Sequence, residues 1–140
     1  MADELKNAVL AVQATLRTVT GIRGAPDYPP EQIPAEYFPF AVAYPGSGVS
    51  TFHVPGERLF LGEIVVELHV SRKDLPNAAR SAMGFADSIP NALMVDPTID
   101  GKVETFGGID QSFGELGWGD LPTLGFRFIL RGVKIRVTLE

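Results

Sequence analysis

The pattern that most restricts the fold is the alternation of apolar and polar residues near the C-terminal end of the chain. Apolar residues occupy the even positions from 126 to 130 and the odd positions from 133 to 139. A two-residue period is typical of a β-strand with one buried face, so this segment predicts a long strand. The change from even to odd positions at Arg131–Gly132 predicts a β-bulge, which adds one residue to a strand and bends it.

A second long strand is predicted over residues 58–71. Its even positions from 64 to 70 are apolar, and Glu67 and His69 are among the polar residues that alternate with them. This pattern favours a strand with one buried and one solvent-exposed face, so we expect Glu67 and His69 to be solvated.

Two shorter strands complete the predicted sheet. Residues 40–44 form an apolar run that ends at Pro45–Gly46, and we expect a flexible Gly/Ser hairpin loop over residues 46–50. Residues 102–109 predict a further strand. Five glycines between positions 107 and 119 are then expected to interrupt regular structure as far as Asp120.

Two amphipathic helices are predicted. The first covers residues 2–19, where apolar residues recur at intervals of three and four. The second begins at Asp74 as N-cap and extends to about Leu93, with a kink or break expected at Pro90. Between the two, residues 21–39 contain five prolines. We expect an ordered connector there, with the rings of Tyr28, Tyr37 and Phe38 packed against the domain.

The order of these elements predicts the fold class. Adjacent strand pairs joined by loops favour an antiparallel sheet, because a parallel sheet needs alternating strands and helices. We therefore predict a single α+β domain over residues 1–140, with about four main strands in an antiparallel mixed sheet. Two helices pack on one face of that sheet, in the order α-β-β-α-β-β.

Composition argues against several classes of partner. A net charge of −5 and an isoelectric point near 5.0 disfavour binding to a phosphate backbone, so no sequence-specific nucleic acid is expected. The chain has no cysteine, which removes thiolate metal sites and cysteine nucleophiles. Charged residues interrupt the first 19 positions, and no apolar run is long enough to cross a membrane. We expect a soluble protein without a membrane partner.

No catalytic residue can be assigned from the sequence. His53 and His69 lie in different predicted elements, and neither has a partner nearby in the sequence. Several carboxylates in the second half could bind a hard cation such as magnesium, which could assist oligomerisation, but their spacing matches no known metal loop. We therefore predict no cofactor and no enzymatic activity. These carboxylates are Asp96, Asp100, Asp110, Glu115 and Asp120.

Apolar residues in the predicted loops are the candidate interaction residues. Exposed apolar side chains on a loop are unfavourable unless another surface covers them. They either fold back as a small second core or contact a partner or another copy of the chain. The candidates are Val49, Phe52, Val54, Phe113, Leu116 and Trp118.

Several segments together resemble the tail terminator, or tail completion, proteins of phages with long non-contractile tails. After the N-terminal helix comes Gly-Ile-Arg-Gly-Ala-Pro-Asp-Tyr-Pro-Pro at residues 21–30, and the first strand ends in Ala-Tyr-Pro-Gly-Ser-Gly at 43–48. The second strand leads into His-Val-Ser-Arg-Lys-Asp-Leu-Pro at 69–76. The resemblance covers nearly the whole chain, but these segments carry no chemical signature.

The resemblance implies an α+β subunit of a homohexameric ring with no catalytic residues. Such a ring binds the last ring of the tail tube protein, stops its polymerisation and presents the surface that joins the head or a neck protein. It implies location in the virion tail after assembly in the host cytoplasm, with DNA passing through the lumen.

Two other hypotheses remain open at this point. The protein could be another head-tail connector, or neck, component. It could also be a small ligand-binding domain or enzyme, which would require His69, Glu67 and an acidic loop residue to converge in a cleft.

Overall fold

A four-stranded antiparallel sheet with the strand order β1-β2-β4-β3 organises the fold. We describe it from a computed structural model, which covers residues 3–27, 29–73 and 75–139. The α+β class and the predicted order of helices and strands are confirmed. The strands are β1 (Phe40–Phe52), β2 (Glu57–Val70), β3 (Gly108–Trp118) and β4 (Leu121–Thr138).

The helices pack on one face of the sheet. They are α1 (Glu4–Arg17), α2 (Leu75–Met83) and α3 (Phe85–Met94), and a short 3₁₀ turn spans Ala35–Tyr37. The second predicted helix is therefore divided at Gly84 into α2 and α3. The predicted N-cap Asp74, the ring of Tyr28 and the predicted start of the first helix at Ala2 lie outside the described residues.

Of the kink or break predicted at Pro90, the break does not occur, because Pro90 lies inside α3. Proline has no N–H to bond the carbonyl four residues earlier, which belongs to Ala86. The side-chain amide of Gln111, on β3, lies 3.4 Å from that oxygen and donates to it instead. A tertiary contact thus compensates for the lost helical bond.

A buried glutamine links α1 to the outer strand of the sheet. The Gln13 side chain is fully buried, and its Nε2 donates to Ala41 O at 2.9 Å while Ala43 N donates to its Oε1 at 2.8 Å. The connector bonds the same strand edge, since Ala41 N donates to Gly24 O at 2.8 Å. Around these contacts, apolar side chains from the helices and the sheet form the main core.

The predicted loop over residues 46–50 was wrong, because β1 continues through it to Phe52. Its register with β2 shifts between Pro45 and Gly48, and the strand then pairs again from Gly48 opposite Gly62. The ring of Phe60 covers both glycines, and a Cβ on either one would overlap that ring. These glycines therefore make room for an aromatic side chain within a strand.

The third strand was also placed wrongly. Of the predicted strand at 102–109, only Gly108 and Ile109 belong to a strand, and β3 continues from them through the glycine-rich segment. Gly114 pairs with Gly125 of β4, and a Cβ on Gly125 would overlap the carbonyl of Leu68 on the neighbouring strand. Close backbone approach therefore explains Gly125, whereas a Cβ on Gly114 would meet no atom within 4 Å.

The β-bulge predicted at Arg131–Gly132 is confirmed. Ile64 pairs with Leu130 and Gly62 pairs with Val133, so one residue of β2 faces two residues of β4. Gly132 has a φ of 67°, which favours glycine. The bulge keeps the apolar residues on both sides of it in the main core.

Candidate functional site

The outer end of the β1–β2 pair exposes apolar side chains. We call residues 46–62 the distal hairpin. Phe52 is 102% exposed, Val49 62%, Leu61 53% and Val54 50%. Val49 and Leu61 are paired across the two strands, and Phe52 ends β1 opposite Arg58. Three of these four residues were predicted from the sequence. Leu61 was not, because it follows Leu59 and Phe60 in a continuous apolar run that shows no alternation between a buried and an exposed face.

The other three candidate residues lie on strand β3, not in a loop. Phe113 is 46% exposed and packs against Phe126, with ring centroids 5.1 Å apart. Leu116 is partly buried and pairs with Thr123. Because β4 pairs with β3 near its start and with the hairpin end of β2 near its end, the two candidate groups lie at opposite ends of the sheet.

Trp118 belongs to a small second core on the face of the sheet that the helices leave uncovered. Its ring lies 5.8 Å from that of Phe40 and 5.5 Å from that of His69, and its Nε1 donates to Pro30 O at 2.8 Å. Ile33 of the connector is buried in the same core. The fold-back interpretation of Trp118 is therefore the one observed.

A polar cluster lies beneath Trp118, made of Tyr44, Glu67, His69, Thr123 and Arg127. His69 is 0% exposed and Glu67 5% exposed, so the expectation that both are solvated was wrong. The alternation of apolar and polar residues correctly predicted a strand. However, the connector and Trp118 cover its polar face at this end of the sheet. Periodicity in one strand gives no sign of a covering segment that is distant in the sequence.

Every functional group of Glu67 and His69 has a partner within the polar cluster. Tyr44 Oη donates to Glu67 Oε2, and Arg127 Nη2 donates to the same oxygen at 3.0 Å. His69 Nε2 donates to Glu67 Oε1 at 2.9 Å, since a carboxylate can only accept, and His69 Nδ1 bonds the Thr123 hydroxyl at 2.6 Å.

Electrostatics in the polar cluster favour the ionised carboxylate. Burial acts to raise the pKa of Glu67, but hydrogen bonds from His69, Tyr44 and Arg127 outweigh it and lower that pKa to about 2. Burial, followed by the hydrogen bond to Glu67, raises the pKa of Tyr44 to about 12. The same carboxylate raises the pKa of Arg127 through its hydrogen bonds.

The enzyme hypothesis required His69, Glu67 and an acidic loop residue to converge in a cleft. A cavity of about 450 Å³ opens beside the polar cluster, and both Glu67 and Glu31 of the connector line it. His69 does not line it, and both its ring nitrogens are already bonded. A general base needs a free nitrogen within reach of substrate, so the arrangement is typical of a structural network.

An apolar groove lies at the edge of the sheet, between α1, the connector and β1. We call it the edge groove. It has a volume of about 320 Å³ and is lined on α1 by Leu5, Val9 and Leu10. Lys6 and Asp27 carry the charged groups of its lining. Its other apolar lining residues are Pro29, Ala43 and Pro45.

The carboxylates considered for magnesium do not form a cluster. Asp96 accepts bonds from the amides of Thr98 and Asp100, at 2.9 and 3.0 Å, within its own turn. Asp110 and Glu115 pair with arginines on neighbouring segments. Within residues 3–27, 29–73 and 75–139, no three His, Asp or Glu side chains come together as a metal site.

Two comparisons of the sequence with known proteins gave no match. No protein-family model matches the chain, and no curated protein matches it either. In the described part of the chain, no helix is both long and apolar enough to cross a membrane.

Proposed function

We propose that the protein is a virion structural protein that caps the tail tube of a long-tailed phage. In this proposal the subunit forms a homohexameric ring, ends polymerisation of the tail tube protein, and presents the surface that a head-tail connector or neck protein binds. It acts in the virion tail after assembly in the host cytoplasm, and DNA passes through its lumen. The protein has no catalytic role.

The observation that carries the proposal is the exposure of the distal hairpin. Burying a fully exposed aromatic or aliphatic side chain contributes about 1.5–3 kcal/mol. The hairpin leaves four such side chains half or more exposed, at 102%, 62%, 53% and 50%. Clusters of this kind on a protein surface mark contacts with other chains.

The uncovered outer backbone edge of β1 also supports the proposal that the subunits assemble. As far as Ala43, the outer edge is bonded to the connector and to Gln13. Beyond Pro45, no hydrogen bond joins it to other elements among the described residues. An uncovered strand edge invites pairing with another chain, and an assembled ring would cover it.

The polar cluster supports a structural role for the covered end of the sheet. Its groups bond one another, and a subunit held rigid at this end can present the hairpin in a fixed direction. The sign of the net charge, −5, also suits a lumen that lets DNA pass without binding it tightly.

The test is the mass of the purified protein by light scattering over a concentration series, with and without magnesium. The proposal predicts a species near 91 kDa, six times the 15.1 kDa chain, and ring-shaped particles in electron micrographs. A 15.1 kDa monomer at every concentration that also fails to bind tube ends would contradict it.

Tail length separates capping from a purely connecting role. If the protein caps the tube, particles assembled without it carry tails of irregular length. If it is instead another neck component, the tails reach their normal length but do not join heads.

A further inference from the structure

We propose that Phe52 of one copy inserts into the edge groove of the next copy. This inference rests on the proposed ring, because it identifies the contact between neighbouring subunits. The occupant of the groove is therefore the distal hairpin of a second copy of this chain.

Phe52 has the properties of an inserting side chain. It stands at the end of β1 and is completely exposed. An aromatic ring buries about 150–250 Å² when it enters a pocket, and aromatic anchors dominate the binding energy of many interfaces. The adjacent strand pair, bonded from Gly48 to Phe52, holds the ring at a fixed height and direction.

The edge groove has the matching properties of a receptor. Its lining is almost entirely apolar, and its volume of about 320 Å³ lies at the small end of the range of roughly 300–1,000 Å³ typical of pockets that enclose compact ligands. A single aromatic ring with part of its strand is an occupant of this size.

Phe52 cannot reach the groove of its own chain. Pro45 lines the groove, and Phe52 lies seven residue steps further along β1. At about 3.3 Å per residue, the two lie roughly 23 Å apart along a single strand. The contact must therefore join two copies. Because it uses different surfaces on each copy, it repeats from subunit to subunit, as a closed ring requires.

Charges on the two surfaces are complementary. Glu57 and Arg58 lie beside Phe52 at the end of the hairpin, while Lys6 and Asp27 line the groove. The Asp27 side chain is 57% exposed even while it pairs with Arg17, so it can accept a second cation. Arg58 has a hydrogen bond to Ser50 and no ion pair within the described residues, which leaves its guanidinium available for Asp27.

The surface area that Phe52 can bury is consistent with a contact in which neighbouring hairpin residues also take part. Each partner in a standard interface buries about 800 Å². Phe52 alone supplies roughly a quarter of that area. Val49, Val54 and Leu61, which are also half or more exposed, extend the contact beyond the groove.

The first test is a mixture of two variants, measured by light scattering. Phe52→Ala removes the inserting ring and keeps the groove, whereas Leu10→Lys obstructs the groove and keeps the ring. We expect each to weaken self-association by about 30-fold or more, as the loss of a buried aromatic anchor does. Mixed together, they retain one functional contact and form a dimer near 30 kDa, twice the mass of the 15.1 kDa chain. Absence of that dimer counts against the inference.

A crosslinking test leaves both Phe52 and Leu10 unchanged. Because the chain has no cysteine, His53→Cys, next to Phe52, combined with Lys6→Cys, in the lining of the edge groove, introduces two thiols and no others. A short bismaleimide is expected to link copies into a ladder that ends near 91 kDa, six times 15.1 kDa. Met83→Cys with Lys6→Cys is the control, since Met83 is 61% exposed on α2, and it is expected to give no ladder.

The outcomes separate this inference from the proposed ring. If wild-type protein forms a species near 91 kDa while the His53 and Lys6 thiols give no ladder, the ring is retained and this contact is wrong. If wild-type protein remains monomeric and no ladder forms, both are wrong.

Discussion

Strands β1 and β2 are paired along nearly their whole length, yet their two ends have opposite surroundings. At the base, from Phe40 to Tyr44, helices cover one face and the connector and Trp118 cover the other, where Glu67, His69 and Thr123 of the polar cluster are buried. At the outer end, the distal hairpin is largely exposed and carries apolar side chains. The same strand pair therefore stabilises the domain at one end and offers a binding surface at the other.

This comparison predicts that substitutions at the two ends affect different measurements. Changes at the base are expected to lower the free energy of unfolding. Changes in the hairpin are expected to leave folding intact and to alter association.

The largest effect is expected for Glu67→Ala at the base. This change leaves the buried His69 and the half-exposed Arg127 without their acceptor. The loss of several hydrogen bonds to a charged group, with a buried donor left unsatisfied, is expected to cost about 3 kcal/mol. Urea unfolding of the wild type and the variant measures the difference. Glu63→Ala is the matched control, since Glu63 is a partly exposed carboxylate on the same strand. Equal stability of the Glu67 variant and the control would show that the cluster does not hold the base together.

Acid is expected to reproduce part of that loss in the wild type. The pKa of Glu67 is about 2 in the folded protein, against a reference value of 4.5. A lowered folded-state pKa gives a contribution that is complete above 4.5 and disappears as the pH falls toward 2. Unfolding measured between these pH values is therefore expected to show a steeper loss for the wild type than for Glu67→Gln. Parallel curves would contradict the assignment.

A smaller loss is expected for Gln13→Leu, at the contact between α1 and the base of β1. Leucine has a similar size but cannot bond Ala41 O or Ala43 N, and buried unsatisfied groups cost about 1–3 kcal/mol each. We expect a loss of about 2 kcal/mol by chemical denaturation, because the edge of β1 can recover part of its bonding from water. Gln32→Leu, at an exposed position of the connector, is the control and is expected to change stability by less than about 0.5 kcal/mol.

Predictions from the sequence succeeded where the signal lies within one segment and failed where it depends on distant parts of the chain. The class, the strand order along the chain and the bulge at Gly132 could be predicted, because each depends on periodicity within one segment. Burial of His69 and Glu67 could not be, since it depends on Trp118 and the connector covering them from distant parts of the chain. The segment at 46–50 was misassigned as a loop because a glycine that makes room for a neighbouring ring, as Gly48 does, cannot be distinguished in the sequence from a glycine in a turn.

The candidate site was predicted in part for the same reason. Val49, Phe52 and Val54 were identified because they are apolar among polar and turn residues, which is a local signal. The edge groove was not, since its lining comes from α1, the connector and β1, and each residue there continues an ordinary apolar pattern.

The smallest effect on folding is expected for Leu61→Thr combined with Val49→Thr in the distal hairpin. Both positions are more than half exposed and paired with each other, and threonine keeps strand preference, so unfolding free energy is expected to change by less than about 0.5 kcal/mol. The same variant is expected to shift the light-scattering mass toward the monomer at a fixed concentration. A loss of stability comparable to that of Glu67→Ala would mean that these side chains belong to the folded core and that the two ends do not differ in role. Unchanged stability together with unchanged association would instead restrict the binding surface to the tip around Phe52, because only that part of the hairpin would remain to hold a neighbouring copy.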